Sequence, residues 1–278
     1  MPSTGRMPYA MSTDDTALHY LDWGDGPTIL FTHGWAASAA MWEYQMLPLS
    51  AAGFRCIGLD RRGCGMSDDA GRGYTADTFA ADLVGFLEQL DLSEVTLVAH
   101  SMGAAEAVRS LAVHGDDRVA RLMLVAPVTP CAVQRPDNPL GVPAELLEGL
   151  IGDILRDRPS YVTDLAGPFF GSHIGLDVPD ALVQWGIRMV LQASALASVE
   201  MMRTFFFTDF RPDVAAVRVP TLIVHGDSDD GAPVQLFGRP THELIPGSEL
   251  KIYQHGPHGL PLTHPDQLTA DILACAKS

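Results

Sequence analysis

Basic residues are scarce in this chain. Across 278 residues, 18 lysines and arginines face 34 aspartates and glutamates, a net charge of −16. That balance excludes nucleic acid as a partner, because too little positive charge is available to neutralise phosphates. It also argues against docking on an anionic membrane, and the acidity reads as a solubility feature. Cysteine is scarce too. Cys56, Cys64, Cys131 and Cys275 show no metal-ligand spacing, so no metal site is expected. Cys56 falls in an expected strand and Cys275 on an apolar helix face, which points to buried, reduced thiols. No run is long enough to span a membrane, and Met1 to Arg6 lack a signal-peptide hydrophobic region. A cytoplasmic protein is expected, with residues 1–8 as a loose extension. Repeats and low-complexity segments are missing as well. What remains, 47% hydrophobic and 19% charged, is an ordinary globular composition long enough to bury a large core.

Short apolar runs alternate with helical patterns. Strands are expected at 18–21, 28–32, 55–59, 95–99, 121–125, 221–224 and 250–253. Several are apolar at every position, as parallel strands buried on both faces are. In 78–90, Phe79, Leu83, Phe86, Leu87 and Leu90 form one helical stripe, with Thr75 or Asp77 as N-cap. A last helix is expected over 265–276, with Pro265 suited to its first turn. The alternation predicts an α/β fold with a mostly parallel sheet covered on both faces. It breaks over 128–218, which reads as helices and loops without a strand. The expected organisation is therefore a core of 9–127 and 219–278 with a helical cap, 128–218, folded over the carboxyl edge of the sheet. Phe169, Phe170, Trp185, Phe205 and Phe206 in that stretch are candidates for the substrate pocket, and insertion core is the alternative for each.

Ala99-His100-Ser101-Met102-Gly103 joins an expected buried strand to a small-residue helix. A serine at the apex of a tight strand-to-helix turn exposes its hydroxyl beside free amides, the arrangement written G-x-S-x-G. Ala99 stands where the first glycine is usual. A serine there is also what a helix N-cap needs. As a nucleophile it needs a base and oxyanion donors. In this order of elements the acid follows the penultimate strand and the histidine follows the last. Of His255 and His258 after the last strand, His258 is the candidate base, and His255 a loop residue. Asp227, Asp229 and Asp230 compete for the acid. Spacing favours Asp229, with Asp227 bracing the turn and Asp230 facing water. The oxyanion donors are the Met102 amide and the Trp35 amide in His33-Gly34-Trp35, although the Trp35 indole could equally pack at a pocket mouth. His33 reads as structural. Asp60-Arg61-Arg62-Gly63-Cys64-Gly65-Met66-Ser67 lacks the spacing of a nucleotide loop and reads as a salt-bridged turn.

Together these residues resemble the α/β-hydrolase fold, and within it the bacterial arylesterases and cofactor-free, non-haem haloperoxidases or perhydrolases. The resemblance runs over nearly the whole chain after Tyr9. It is carried by His33-Gly34-Trp35, Met41-Trp42-Glu43-Tyr44-Gln45-Met46, Asp60-Arg61-Arg62-Gly63, Thr78-Phe79-Ala80-Ala81-Asp82-Leu83, Thr208-Asp209-Phe210-Arg211-Pro212-Asp213, Val219 to Asp227 and Pro257-His258-Gly259-Leu260. It implies Ser101 as nucleophile, Asp229 as acid, His258 as base and the Trp35 and Met102 amides as the oxyanion hole. It further implies hydrolysis of small carboxylic esters through an acyl-serine, with neither metal nor haem. The resemblance also implies that peroxide can replace water, giving a peracid that oxidises halide. The chain departs from that family at His100, where an aromatic is usual beside the nucleophile. It departs again at Gly231-Ala232, where a bulky apolar residue usually follows the acid, and over most of 128–218. For His100 the expectation is a buried, hydrogen-bonded side chain, with a titratable group lining the pocket as the alternative.

Competing functions are a lactonase or lactamase with the same triad, a cofactor-free dioxygenase, and a ligand-binding homologue without turnover. Epoxide hydrolases and haloalkane dehalogenases are disfavoured, since they carry aspartate where this chain has Ser101. The expected partner is a small ester or lactone, with self-association into a homo-oligomer an open expectation.

Overall fold

Alternation within each strand sends side chains to two separate apolar layers. Leu30, Leu97, Leu122, Leu124 and Ile223 enter one core cluster, while Ile29, Phe31, Val98, Met123, Val125 and Val224 enter the other. Apolar residues at every position are what a sheet covered on both faces requires. In the computed structural model, which describes residues 8–278, that sheet has eight strands. They are β1 (Tyr9–Met11), β2 (Ala17–Trp23), β3 (Thr28–Thr32), β4 (Arg55–Leu59), β5 (Val95–His100), β6 (Val119–Val125), β7 (Thr221–Gly226) and β8 (Glu249–Tyr253). Their order is β1-β2-β4-β3-β5-β6-β7-β8. The β1/β2 and β2/β4 pairs are antiparallel and the rest parallel.

The helices are α1 (Glu43–Ala51), α2 (Ala76–Gln89), α3 (Met102–His114), α4 (Ala144–Phe170), α5 (Asp180–Gln192), α6 (Ala195–Phe207), α7 (Arg211–Ala216), α8 (Gly238–Leu244), α9 (Leu260–Thr263) and α10 (Pro265–Lys277). Helices α2, α3 and α7 pack together, and α1 packs on α10. Thr75 caps α2 by accepting from the Thr78 amide, and Pro265 opens α10. Over 128–218 the structure has helices and only isolated β-bridges, Val133 to Val142 and Arg135 to Asn138. Helix α4 kinks at Asp157, two residues before Pro159.

At the N-terminus the structure adds one element to those expected. Strand β1 was not foreseen. It is a three-residue edge strand with Tyr9 and Met11 exposed and only Ala10 buried, too short for alternation to register. The loose extension over 1–8 lies outside the described residues except for Pro8, whose carbonyl accepts from the Tyr20 amide at 2.9 Å.

Parallel pairing places the carboxyl ends of β3, β5, β6, β7 and β8 along one edge. Thr32 pairs with Ala99, His100 with Val125, and Gly226 with Tyr253. The loops starting at His33, Ser101, Asp227 and Gln254 therefore open side by side.

Candidate active site

Ser101 sits between β5 and α3 with φ 54° and ψ −114°. A non-glycine residue holds such a conformation only where its surroundings impose it, at a cost of about 1–3 kcal/mol. Its amide donates to the Val125 carbonyl at 2.9 Å, which fixes the turn to β6. The turn is tight because α3 lies almost on β3. A Cβ on Gly103 would stand 2.5 Å from Thr32 Oγ1 and 3.0 Å from the His33 carbonyl oxygen. Ser101 holds the N-cap position but makes no capping hydrogen bond. Its Oγ lies instead 2.9 Å from His258 Nε2.

His258 Nδ1 lies 2.7 Å from Asp229 Oδ2, so Ser101, His258 and Asp229 form one hydrogen-bonded line. Asp229 is fully withdrawn from water, whereas the His258 side chain keeps 16% exposure. Burial raises the Asp229 pKa. The His258 charge and the hydrogen bonds from His225 and His258 outweigh it and hold the carboxyl well below its usual range. Asp229 Oδ1 accepts the Ala232 amide at 2.7 Å. The residue missed in the sequence is His225. Its Nε2 lies 2.7 Å from the Ala232 carbonyl and 3.3 Å from Asp229 Oδ2. Both neighbours are acceptors, so Nε2 carries the proton.

Asp227 accepts the His255 amide at 2.7 Å and so braces β7 against the loop after β8. His255 is exposed, and Asp230 is exposed and pairs with His173.

The Met102 amide opens α3, where a helix leaves its first N–H groups without internal partners. Trp35 is anchored through its indole, which donates to the Ser198 carbonyl at 2.9 Å and meets Tyr161 edge to face at 6.0 Å. The Trp35 loop is thereby fastened to α6 and α4. Its base is held by the salt-bridged turn. His33 Nδ1 donates to the Gly34 carbonyl, and His33 Nε2 accepts the Arg61 amide at 3.0 Å. The Arg61 guanidinium donates to the His33 carbonyl and to Glu106, both ions being buried. Burial and the Arg61 charge push the His33 pKa down to about 3, so the ring is neutral and structural.

The pocket candidates divide. Phe169 lies edge-on to His258 at 6.0 Å and to His100 at 6.3 Å, and Phe170 meets Phe169 edge to face at 5.0 Å. Trp185 packs against Tyr44 at 6.4 Å. Phe205 is corrected: it is buried in a stack between Phe79 and Phe210, in the core rather than a pocket wall. Phe206 packs on the small clusters around Ile151, Cys131 and Ala132. His100 is buried and hydrogen-bonded, its Nε2 lying 3.0 Å from the His258 carbonyl. Burial and the nearby His258 charge hold its pKa down to about 3.

A hydroxyl, an imidazole and a buried carboxylate in series, next to backbone amides, can activate an oxygen nucleophile and receive a developing oxyanion. Comparison with known proteins bears on the family. Residues 27–265 match the family model described as alpha/beta hydrolase fold. A non-heme haloperoxidase of Rhodococcus erythropolis is 38% identical over 98% of this chain and all of its own. A bifunctional esterase/perhydrolase of Acinetobacter calcoaceticus is 33% identical over 98% of this chain and all of its own. The solved bromoperoxidase from Bacillus anthracis superposes with a TM-score of 0.92 at 35% identity, covering 97% of this chain and all of that one. The chain belongs to the α/β-hydrolase fold family, in the branch of non-haem haloperoxidases and related esterases.

Proposed function

We propose that the protein hydrolyses small carboxylic esters through an acyl-Ser101 intermediate. The observation that carries this reading is the unbroken line from Ser101 Oγ through His258 to Asp229. His258 Nε2 takes the hydroxyl proton as Oγ attacks the ester carbonyl. Asp229 accepts from Nδ1, fixes the tautomer and stabilises the imidazolium. The Trp35 and Met102 amides receive the oxyanion, each contributing about 3 kcal/mol to the transition state. The leaving alcohol takes the proton back from His258, and water then enters by the same route to release the acid.

Hydrogen peroxide can take the place of that water. His258 accepts a peroxide proton, the peroxide oxygen attacks the acyl carbon, and the bond to Ser101 breaks as Oγ regains the proton. The product is a peracid, which passes one oxygen atom to halide and returns the carboxylic acid. Haloperoxidation is then a consequence of acyl transfer, a reading compatible with relatives named as a haloperoxidase and as an esterase/perhydrolase.

In this reading α4 to α6 form the cap over the site. Helix α7, inside the expected cap stretch, packs instead on α3 and α8 beside the sheet. Among the described residues no helix is long and apolar enough to cross a membrane. Four free cysteines fit a reducing cytoplasm.

The test is Ser101→Ala against p-nitrophenyl acetate, followed by peracid formation from a short ester and peroxide. Both activities are expected to vanish together while circular dichroism stays unchanged. Undiminished turnover of either would overturn the proposal for that activity.

A further inference from the structure

The peptide plane that follows His258 is held at both of its poles. Its carbonyl, that of His258, lies 3.0 Å from His100 Nε2. Its N–H, that of Gly259, donates to the Phe169 carbonyl at 2.9 Å. The contact leaves no room for adjustment, because a Cβ on Gly259 would fall 2.6 Å from that same carbonyl oxygen. A plane pinned at both ends fixes the direction in which the His258 side chain leaves the backbone.

His100 is itself closely packed, although its buried Nδ1 has no hydrogen-bond partner among the described residues. It ends β5, one residue before Ser101. Its ring meets Trp42 and Phe169 edge to face and lies 5.0 Å from the His258 ring. It also occupies the space that a side chain on Gly34 would need, with Nδ1 2.8 Å from where that Cβ would stand. One imidazole therefore touches the nucleophile strand, the loop of the Trp35 amide and the loop of His258.

We infer that His100 is a positioning residue for His258: its Nε2–H holds the His258 carbonyl, setting the imidazole against Ser101. The inference rests on the Ser101 reading given above. Aromatic packing alone would leave the hydrogen bond without a role, since phenylalanine would fill the same space. The bond is durable because a ring buried so completely stays neutral, and a neutral ring with Nε2 protonated donates to a carbonyl at any working pH.

The experiment compares His100→Phe, which keeps the ring and removes the donor, with His100→Gln, which restores an N–H donor at similar reach. For p-nitrophenyl acetate, His100→Phe is expected to lower kcat about tenfold with KM within about twofold, and His100→Gln to recover most of the loss. Equal kcat in wild type and His100→Phe overturns the inference. So does a loss in both variants that tracks their melting temperatures, which marks a packing role. Ser101→Ala run beside them separates the two readings. If it stays active, the acyl-serine reading fails whatever His100 does. If it is inactive while His100→Phe turns over normally, only the His100 inference fails. Should His100→Phe not fold, nitrogen NMR of the wild type decides. A proton on Nε2 is expected, and an Nδ1–H tautomer overturns the assignment.

Discussion

His225 Nε2 stands 3.3 Å from Asp229 Oδ2, with both side chains fully buried. The carboxylate that serves His258 thus has a second imidazole beside it. The same Nε2–H reaches the Ala232 carbonyl at 2.7 Å, and the Ala232 amide returns to Asp229 Oδ1. Three groups close one small ring of hydrogen bonds around the acid. Gly238 makes room for it, since a Cβ there would stand 2.5 Å from His225 Nδ1.

Replacing His225 with phenylalanine keeps the ring volume and leaves the Ala232 carbonyl buried without its donor. A buried acceptor deprived of its partner costs about 1–3 kcal/mol. Urea unfolding of His225→Phe is expected to show that loss. Because the acid is displaced as well, kcat for a short ester is expected to fall about tenfold or more. A stability loss with unchanged kcat would reduce His225 to a structural residue.

Gly103 predicts a different failure. Alanine there meets backbone atoms of β3 and the loop that follows, and neither can swing aside. Overpacking of this kind costs about 1–3 kcal/mol, and here the strain falls on the loop carrying the Trp35 amide. Gly103→Ala is expected to lower both melting temperature and kcat. Gly85, inside α2, has nothing within 4 Å of its missing Cβ. Gly85→Ala is expected to raise stability by about 0.5–1 kcal/mol with activity unchanged. Both are read by thermal melts with parallel esterase assays, and a Gly103→Ala variant as active and stable as wild type would refute the close-crossing argument.

The carboxyl-edge loops were legible because strand order alone dictates them. Once 95–99 and 221–224 read as buried parallel strands, the turns after them had to open on one edge. His225 was not legible, for it lies inside a strand and meets Asp229 only because the chain reverses within four residues. Phe205 takes the insertion-core alternative, which was not separated from the pocket reading because the aromatics of 128–218 were taken as one group. Spacing held the answer, since Ala197, Met201 and Phe205 lie four apart and share a core face, while Val199, Met202 and Phe206 face the smaller clusters. The hydrogen bond from His100 to the His258 carbonyl joins residues 158 apart, and no local pattern reports it.

His100 also sets a pH dependence. Its ordinary pKa of 6.5 is pushed down to about 3 by burial, with the His258 charge adding to the effect. Between those values the unfolded chain binds a proton that the folded chain refuses. Stability from this group is complete above 6.5 and is lost as the pH falls through the window. His100→Gln removes the effect. Urea unfolding at about pH 5, 6 and 7 is expected to give a profile flatter than wild type by about 1 kcal/mol per pH unit near pH 5. Parallel profiles would mean that the ring binds its proton alike in the folded and unfolded chain.

The last prediction concerns how the helical segment reaches the chemistry. The Trp35 amide is a proposed oxyanion donor, and the Trp35 indole is tied to the Ser198 carbonyl on α6. The amide position therefore depends on α6. Trp35→Phe keeps an aromatic against Tyr161 and removes the N–H, leaving the loop free to shift by a fraction of an ångström. A donor acts on an oxyanion only at about 2.7–3.1 Å, so a small shift lowers kcat more than KM. The expected result is a several-fold fall in kcat on p-nitrophenyl acetate, with little change in KM or melting temperature. A transition-state-like phosphonate that phosphonylates Ser101, Oγ displacing its leaving group from phosphorus, should slow in proportion, since it too places an oxygen between the two amides. If KM rises while kcat holds, the indole acts in binding the substrate, and the tie to α6 does not govern the oxyanion site.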